Sequence, residues 1–110
     1  RRGEVYAGCY RFAGGGAIET VLADEASPVE EVVRRLGPLD PIYLGEGAVR
    51  YRAEIEALGG RVAPPHVGLP RASALLWLAD TVPETGRVVD PAAWEPAYVR
   101  SAGVEREARR

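Results

Sequence analysis

The sequence predicts an α/β domain, a mixed sheet with packed helices in the order ββαβαβα, followed by a C-terminal docking segment. Three observations carry this. Strand-period residues near the start give way to short strands alternating with helix-period runs. The helix-period runs carry apolar stripes, and a striped helix needs a sheet to cover it. Between two of them stands Pro41-Ile42-Tyr43-Leu44-Gly45-Glu46-Gly47-Ala48, an apolar strand running into a Gly-x-Gly-small turn at the head of a helix.

Taken in order, Glu4 to Phe12 reads as the first strand. Val5, Ala7 and Cys9 point one way and Tyr6, Tyr10 and Phe12 the other. Both sets are largely apolar, which predicts a strand covered on both faces. Gly14-Gly15-Gly16 turns the chain into a second strand, Ala17 to Ala23, to make a hairpin. A phosphate-loop reading of the triple glycine fails, because no Lys-Ser/Thr follows and a strand stands where a helix is required.

Ser27-Pro28-Val29-Glu30 is a helix start, with Ser27 as cap, Pro28 in the first turn and Glu30 closing a capping box. Val29, Val32, Val33 and Leu36 then form one stripe, and Gly37-Pro38 ends the helix. After the central strand and turn, a helix from Val49 to Leu58 is expected to bury Ala48, Tyr51, Ile55 and Leu58. Arg50/Glu54 and Arg52/Glu56 mark its wet side. Gly59-Gly60 caps it and Arg61-Val62-Ala63 offers a short strand. Pro70 to Val82 is apolar nearly all round, through Ala72, Leu75, Leu76, Trp77, Leu78 and Ala79, which predicts a helix that is buried or lies at an interface. Pro83 to Pro91 is a turn-rich linker. Trp94 to Arg100 brings large anchors with little chain left to surround them, and residues 104–110 form a charged end expected to fray.

A chain of 110 residues makes one small domain or one lobe of a larger one. With a net charge of -2 and every basic residue an Arg, it has no overall pull toward nucleic acid. The single Cys9 excludes an internal disulfide and fits a reducing compartment. The longest apolar run is too short to span a bilayer and no signal-peptide pattern is present, so a cytoplasmic protein is expected. The start on Arg1-Arg2-Gly3 without Met suggests a piece of a longer protein.

The candidate site is the turn at Gly45, Gly47 and Ala48. Glycine there permits backbone angles and close approaches that a Cβ would forbid, and a helix start behind it offers N–H groups to an anion. The same pattern also serves as a plain turn. No catalytic residue stands out. The lone His66 and lone Cys9 have nothing in the sequence to place them together, and no metal-ligand spacing surrounds either. Cys9, mid-strand among apolar neighbours, reads as a small buried hydrophobe.

Three stretches together resemble the TsaB family, bacterial proteins of tRNA threonylcarbamoyladenosine biosynthesis. They are Arg2-Gly3-Glu4-Val5-Tyr6, Leu44-Gly45-Glu46-Gly47-Ala48 and Glu95-Pro96-Ala97-Tyr98-Val99-Arg100. Leu69-Pro70-Arg71-Ala72-Ser73-Ala74-Leu75 is similar to that family's last-helix entrance. The resemblance covers nearly the whole chain, in the family's order. It implies a ribonuclease-H-like lobe of the actin, Hsp70 and sugar-kinase superfamily, namely the second lobe alone over residues 1–103.

By the same resemblance, Leu44 to Ala48 occupies the place of the superfamily's adenosine motif, so that Gly45, Gly47 and Ala48 become nucleotide-binding candidates. The family is a degenerate one, however. The resemblance implies a non-catalytic scaffold, with no cofactor of its own, that supports a TsaD-type paralogue and an associated ATPase subunit and meets tRNA only through the complex. The family's glycoprotease-like label has no nucleophile–base pair or zinc cluster behind it here. The alternatives are a nucleotide-binding lobe of an active ATP-dependent enzyme and a generic α/β structural domain. With its other lobe missing, the chain is expected to expose the 72–82 helix and the Trp94–Val99 segment. These then pair with a second copy or fold back on the chain itself, and self-association is favoured.

Overall fold

The computed structural model describes residues 3–84 and 86–96. It is a mixed α/β structure with four strands and four α-helices among these residues. The order is β1 (Glu4–Phe12), β2 (Ile18–Pro28), α1 (Val29–Leu36), β3 (Ile42–Tyr43), α2 (Glu46–Arg50), α3 (Arg52–Ala57), β4 (Arg61–Val62) and α4 (Ala72–Thr81). The expected single mixed sheet is not formed. β1 and β2 make one antiparallel pair, and β3 and β4 make a separate parallel pair, with Ile42 opposite Arg61 and Tyr43 opposite Val62. At two residues each, β3 and β4 are too short to gather further strands.

The described residues fall into two compact units. One holds residues 3–7 and 26–70, the other 8–25 and 71–96. The two long strands contribute residues to both.

The first unit owns the core. Val29, Val32, Val33 and Leu36 of α1 are buried, as the i, i+3, i+4, i+7 stripe predicts. Val29 and Val33 pack with Ile55 of α3, which is 2% exposed, and Val5, Tyr43, Ala48, Tyr51 and Val62 close around them. The start of α1 differs from the expected capping box. Ser27 is the buried penultimate residue of β2, Pro28 is the N-cap, and the Val29 N–H donates to the Gly3 carbonyl at 2.6 Å. An N-terminal backbone oxygen therefore satisfies a donor that a cap side chain would otherwise serve. β2 absorbed Ser27 because it runs five residues past Ala23, the boundary expected from its apolar pattern. Glu30 and Glu31 in the first turn and Arg34 and Arg35 in the last complement the helix dipole.

The single helix expected from Val49 to Leu58 begins at Glu46 and changes direction at Tyr51, whose φ of -105° and ψ of 26° interrupt the helical torsions. The ladder itself continues: Tyr51 N–H donates to Gly47 at 3.0 Å and Ile55 N–H to Tyr51 at 3.0 Å. The bend leaves Leu58 48% exposed, not buried, while Tyr51 turns its hydroxyl to accept from Gly3 N–H at 3.1 Å. Arg52 pairs with Glu56 at 3.6 Å, whereas Arg50 lies over the Tyr51 ring at 5.5 Å. Gly59, at φ 88°, ends α3, and Gly60 N–H reaches back to the Ile55 carbonyl at 2.9 Å. This is the left-handed C-terminal closure that only glycine adopts freely.

In the second unit, Ala13 N–H donates to the Ala17 carbonyl at 2.8 Å and closes the hairpin loop. Phe12 stacks on Trp77 of α4, ring centroids 6.4 Å apart. One expectation fails here. The Tyr10 and Phe12 side of β1 is exposed, as is Tyr6 in the first unit, so the strand is covered on one face only. α4 is apolar yet not buried. Every residue of it from Ala72 to Asp80 is exposed except Leu78, which is half-buried. Trp94, after a short turn capped by the Asp90 carboxylate, is exposed as well. The remaining anchors of that segment, residues 97–100, and the charged end at 104–110 lie outside the described residues. No helix among the described residues is long and apolar enough to cross a membrane.

Candidate functional site

The Gly45 turn lies at the carboxyl end of β3, and the loop after β4 brings a 3-10 turn, Pro65–Gly68, to the carboxyl end of its parallel neighbour. In α/β folds this is the edge at which ligands bind. Gly45 has φ 103° and ψ 177°, a backbone state essentially confined to glycine. Its carbonyl accepts from Val49 N–H at 3.1 Å and thereby opens α2. Up to this point the geometry matches what a nucleotide turn requires.

The surroundings match a closed structural turn instead. A Cβ placed on Gly68 would lie 2.6 Å from Gly45 Cα, so the two backbones touch with no room for a side chain. A Cβ on Gly47 would lie 3.2 Å from Val5 Cγ1, and Ala48 packs on the core around Val29, Val33 and Ile55. Thus Gly45, Gly47 and Ala48 do come together, and each is held by the protein's own atoms. Glu46, in the first turn of α2 and exposed, sets a carboxylate at the helix end where a phosphate would dock, so a like charge opposes it. Five residues of helix also align few peptide dipoles behind the turn.

Sequence reasoning missed Gly68. In Val67-Gly68-Leu69 it reads as one more loop glycine, and only the packing of Pro65–Gly68 on the turn gives it a role. His66 sits on that same 3-10 turn, exposed. Among the described residues no three His, Cys, Asp or Glu side chains converge as metal ligands.

Two other polar features stand apart from the turn. At the amino ends of the parallel strands, a depression of about 60 Å³ is lined by Val33, Asp40, Pro41, Tyr43, Leu58 and Gly60 among others. Asp40, left-handed at φ 49°, is clamped beside it by Arg61, which donates to its carbonyl at 2.9 Å and pairs with its carboxylate at 3.4 Å. This is room for little more than water. In the second unit the Tyr10 hydroxyl donates to Asp24, and that carboxylate, with partial burial, raises the phenol above its ordinary pKa. Comparison with protein-family models, with curated proteins and with solved structures finds no match.

Proposed function

We propose that this chain is the second, ribonuclease-H-like lobe of a TsaB-type scaffold. In this reading it has no chemistry of its own and supports a TsaD-type catalytic paralogue, with an associated ATPase subunit, in making N6-threonylcarbamoyladenosine in tRNA. The observation that carries the reading is the use made of Leu44–Ala48. The residues that resemble an adenosine motif are spent on closing a turn against Gly68 and Val5, which suits a degenerate relative of nucleotide-binding lobes. The protein then acts through surfaces, in the cytoplasm, and tRNA is met only within the complex.

One observation favours a second reading, a nucleotide-binding lobe of an ATP-dependent enzyme. Gly45 stands at the carboxyl end of a parallel strand and heads a helix. Calorimetric titration of the purified chain with ATP and with ADP separates the two. The scaffold reading expects no heat of binding beyond dilution, and saturable binding lost on Gly45→Ala would favour the enzyme lobe.

A further inference from the structure

Gly8, Tyr10 and Phe12 fall on one face of β1, since alternate residues of a strand share a side. Gly8 leaves that face bare, and across it the Tyr10 hydroxyl donates to the Asp24 carboxylate of β2. A Cβ on Gly8 would run into that carboxylate and would stand 2.9 Å from the Tyr10 hydroxyl, so the glycine is what lets the pair lie down on the sheet. Phe12 continues the row and is held by its stack on Trp77. Tyr10 and Phe12 keep 46% and 68% of their surface in solvent. All of these residues belong to the second unit.

The charge on this face selects what fits it. Ring faces carry negative potential and the carboxylate beside them adds to it, so both favour a cation. The chain's own arginines do not supply one. Arg11 points to the other side of β1 and pairs with Glu19 at 3.5 Å, and Arg87 pairs with Glu84 at 3.8 Å. Among the described residues no arginine pairs with Asp24 or lies over Tyr10 or Phe12. The Tyr10 hydrogen bond uses one oxygen of Asp24, and the other can still accept. A guanidinium suits the pair best, because it is planar and stacks on a ring while its N–H groups reach a carboxylate. Arg50 over the Tyr51 ring at 5.5 Å is the same stacking contact elsewhere in this chain. Tyr10 and Phe12 are roughly 7 Å apart along the strand, which is also the spacing of alternate residues in an extended partner.

We propose that this face of the hairpin binds an extended segment of another protein in which an arginine is followed two residues later by an apolar side chain. The arginine pairs with Asp24 and stacks on Tyr10, and the apolar residue lies on Phe12. The inference rests on the hairpin and is independent of the proposed function. Fluorescence anisotropy of a labelled Gly-Ser-Arg-Ser-Leu-Ser-Gly peptide, titrated with the purified chain, tests it. Saturable binding is expected, with a Kd below about 1 mM. Citrulline in place of the arginine keeps its shape and removes its charge, and should raise the Kd at least about fivefold. Asp24→Asn still accepts from Tyr10 and should raise it about two- to fivefold. Glu46→Gln removes an exposed carboxylate from the other unit and should leave the Kd unchanged. Because these positions are exposed, far-UV circular dichroism should be the same in each variant. Four outcomes overturn the proposal: no saturation below about 1 mM, equal binding of the citrulline peptide, indifference to Asp24→Asn, or an equal loss with Glu46→Gln. Displacement of the peptide by an equal concentration of cellotetraose would assign the face to neutral sugars and overturn it as well.

Discussion

Gly68 lies so close to Gly45 that a Cβ added to it would come within 2.6 Å of the Gly45 Cα. Two loops that follow different strands are locked backbone to backbone at the edge where an α/β fold ordinarily keeps space for a ligand. Because the obstructing atoms are backbone, they cannot swing aside as a side-chain tip would. Gly68→Ala should destabilise the chain by about 1–3 kcal/mol, and Gly45→Ala by a similar ~1–3 kcal/mol through its φ of 103°. Gly14→Ala is the control. It lacks the positive φ of Gly15 and Gly16 and has nothing near its missing Cβ, so it should be neutral or stabilise by up to about 1 kcal/mol. Urea midpoints at constant slope are the readout.

The bend at Tyr51 makes a second prediction, since it decides which side of α3 meets the core. Ile55→Ala should cost about 2–5 kcal/mol by leaving a cavity between α1 and α3. Leu58→Ala should cost well under that, within about 1 kcal/mol, because its side chain is half in solvent. Equal losses at the two positions would mean that the helix runs straight through Tyr51.

Tyr10 and Asp24 predict a titration. The hydrogen bond from the phenol to Asp24, then partial desolvation, then the charge on Asp24 all favour the protonated ring, so its pKa lies above the ordinary 10.0. The sign follows. The stabilisation is fully present below the unfolded pKa and is lost as pH rises through the higher folded one, so it bears only on alkaline conditions. With tyrosine labelled at Cζ, NMR should show the Tyr10 midpoint above 10.0, and Asp24→Asn should bring it down. A Tyr10 midpoint at or below the ordinary value would remove the pair.

Much of this was legible in the sequence, and the limits have physical causes. The α1 stripe from Val29 to Leu36 could be read because a buried helix face repeats every three to four residues whatever its neighbours are. The Gly45 turn could be read because strand, glycine and helix are adjacent in the chain. What it packs against could not, since Gly68 is brought in by the parallel pairing of β3 with β4. The surroundings of α4 were legible only in part, since its apolar pattern fits burial and an interface alike. Apolar composition says that a helix needs cover, and in these residues the Phe12 ring stacks on Trp77 while every residue from Ala72 to Asp80 except Leu78 stays exposed. The kink at Tyr51 carries no sequence mark such as Pro or a Gly pair.

Catalysis offers a fourth prediction. The purified chain should show no ATP hydrolysis and no tRNA modification, since no nucleophile–base pair was found in its sequence. Turnover that disappears with one substitution inside the chain would contradict the scaffold reading directly.

The most direct test is to mix the chain with a TsaD-type paralogue and follow co-elution by size exclusion with light scattering. The account predicts a stoichiometric complex that forms equally well with and without ATP and that survives Gly45→Ala wherever that variant is folded. Separate elution of the two proteins at concentrations of about 10–100 µM, well above a micromolar Kd, would contradict it.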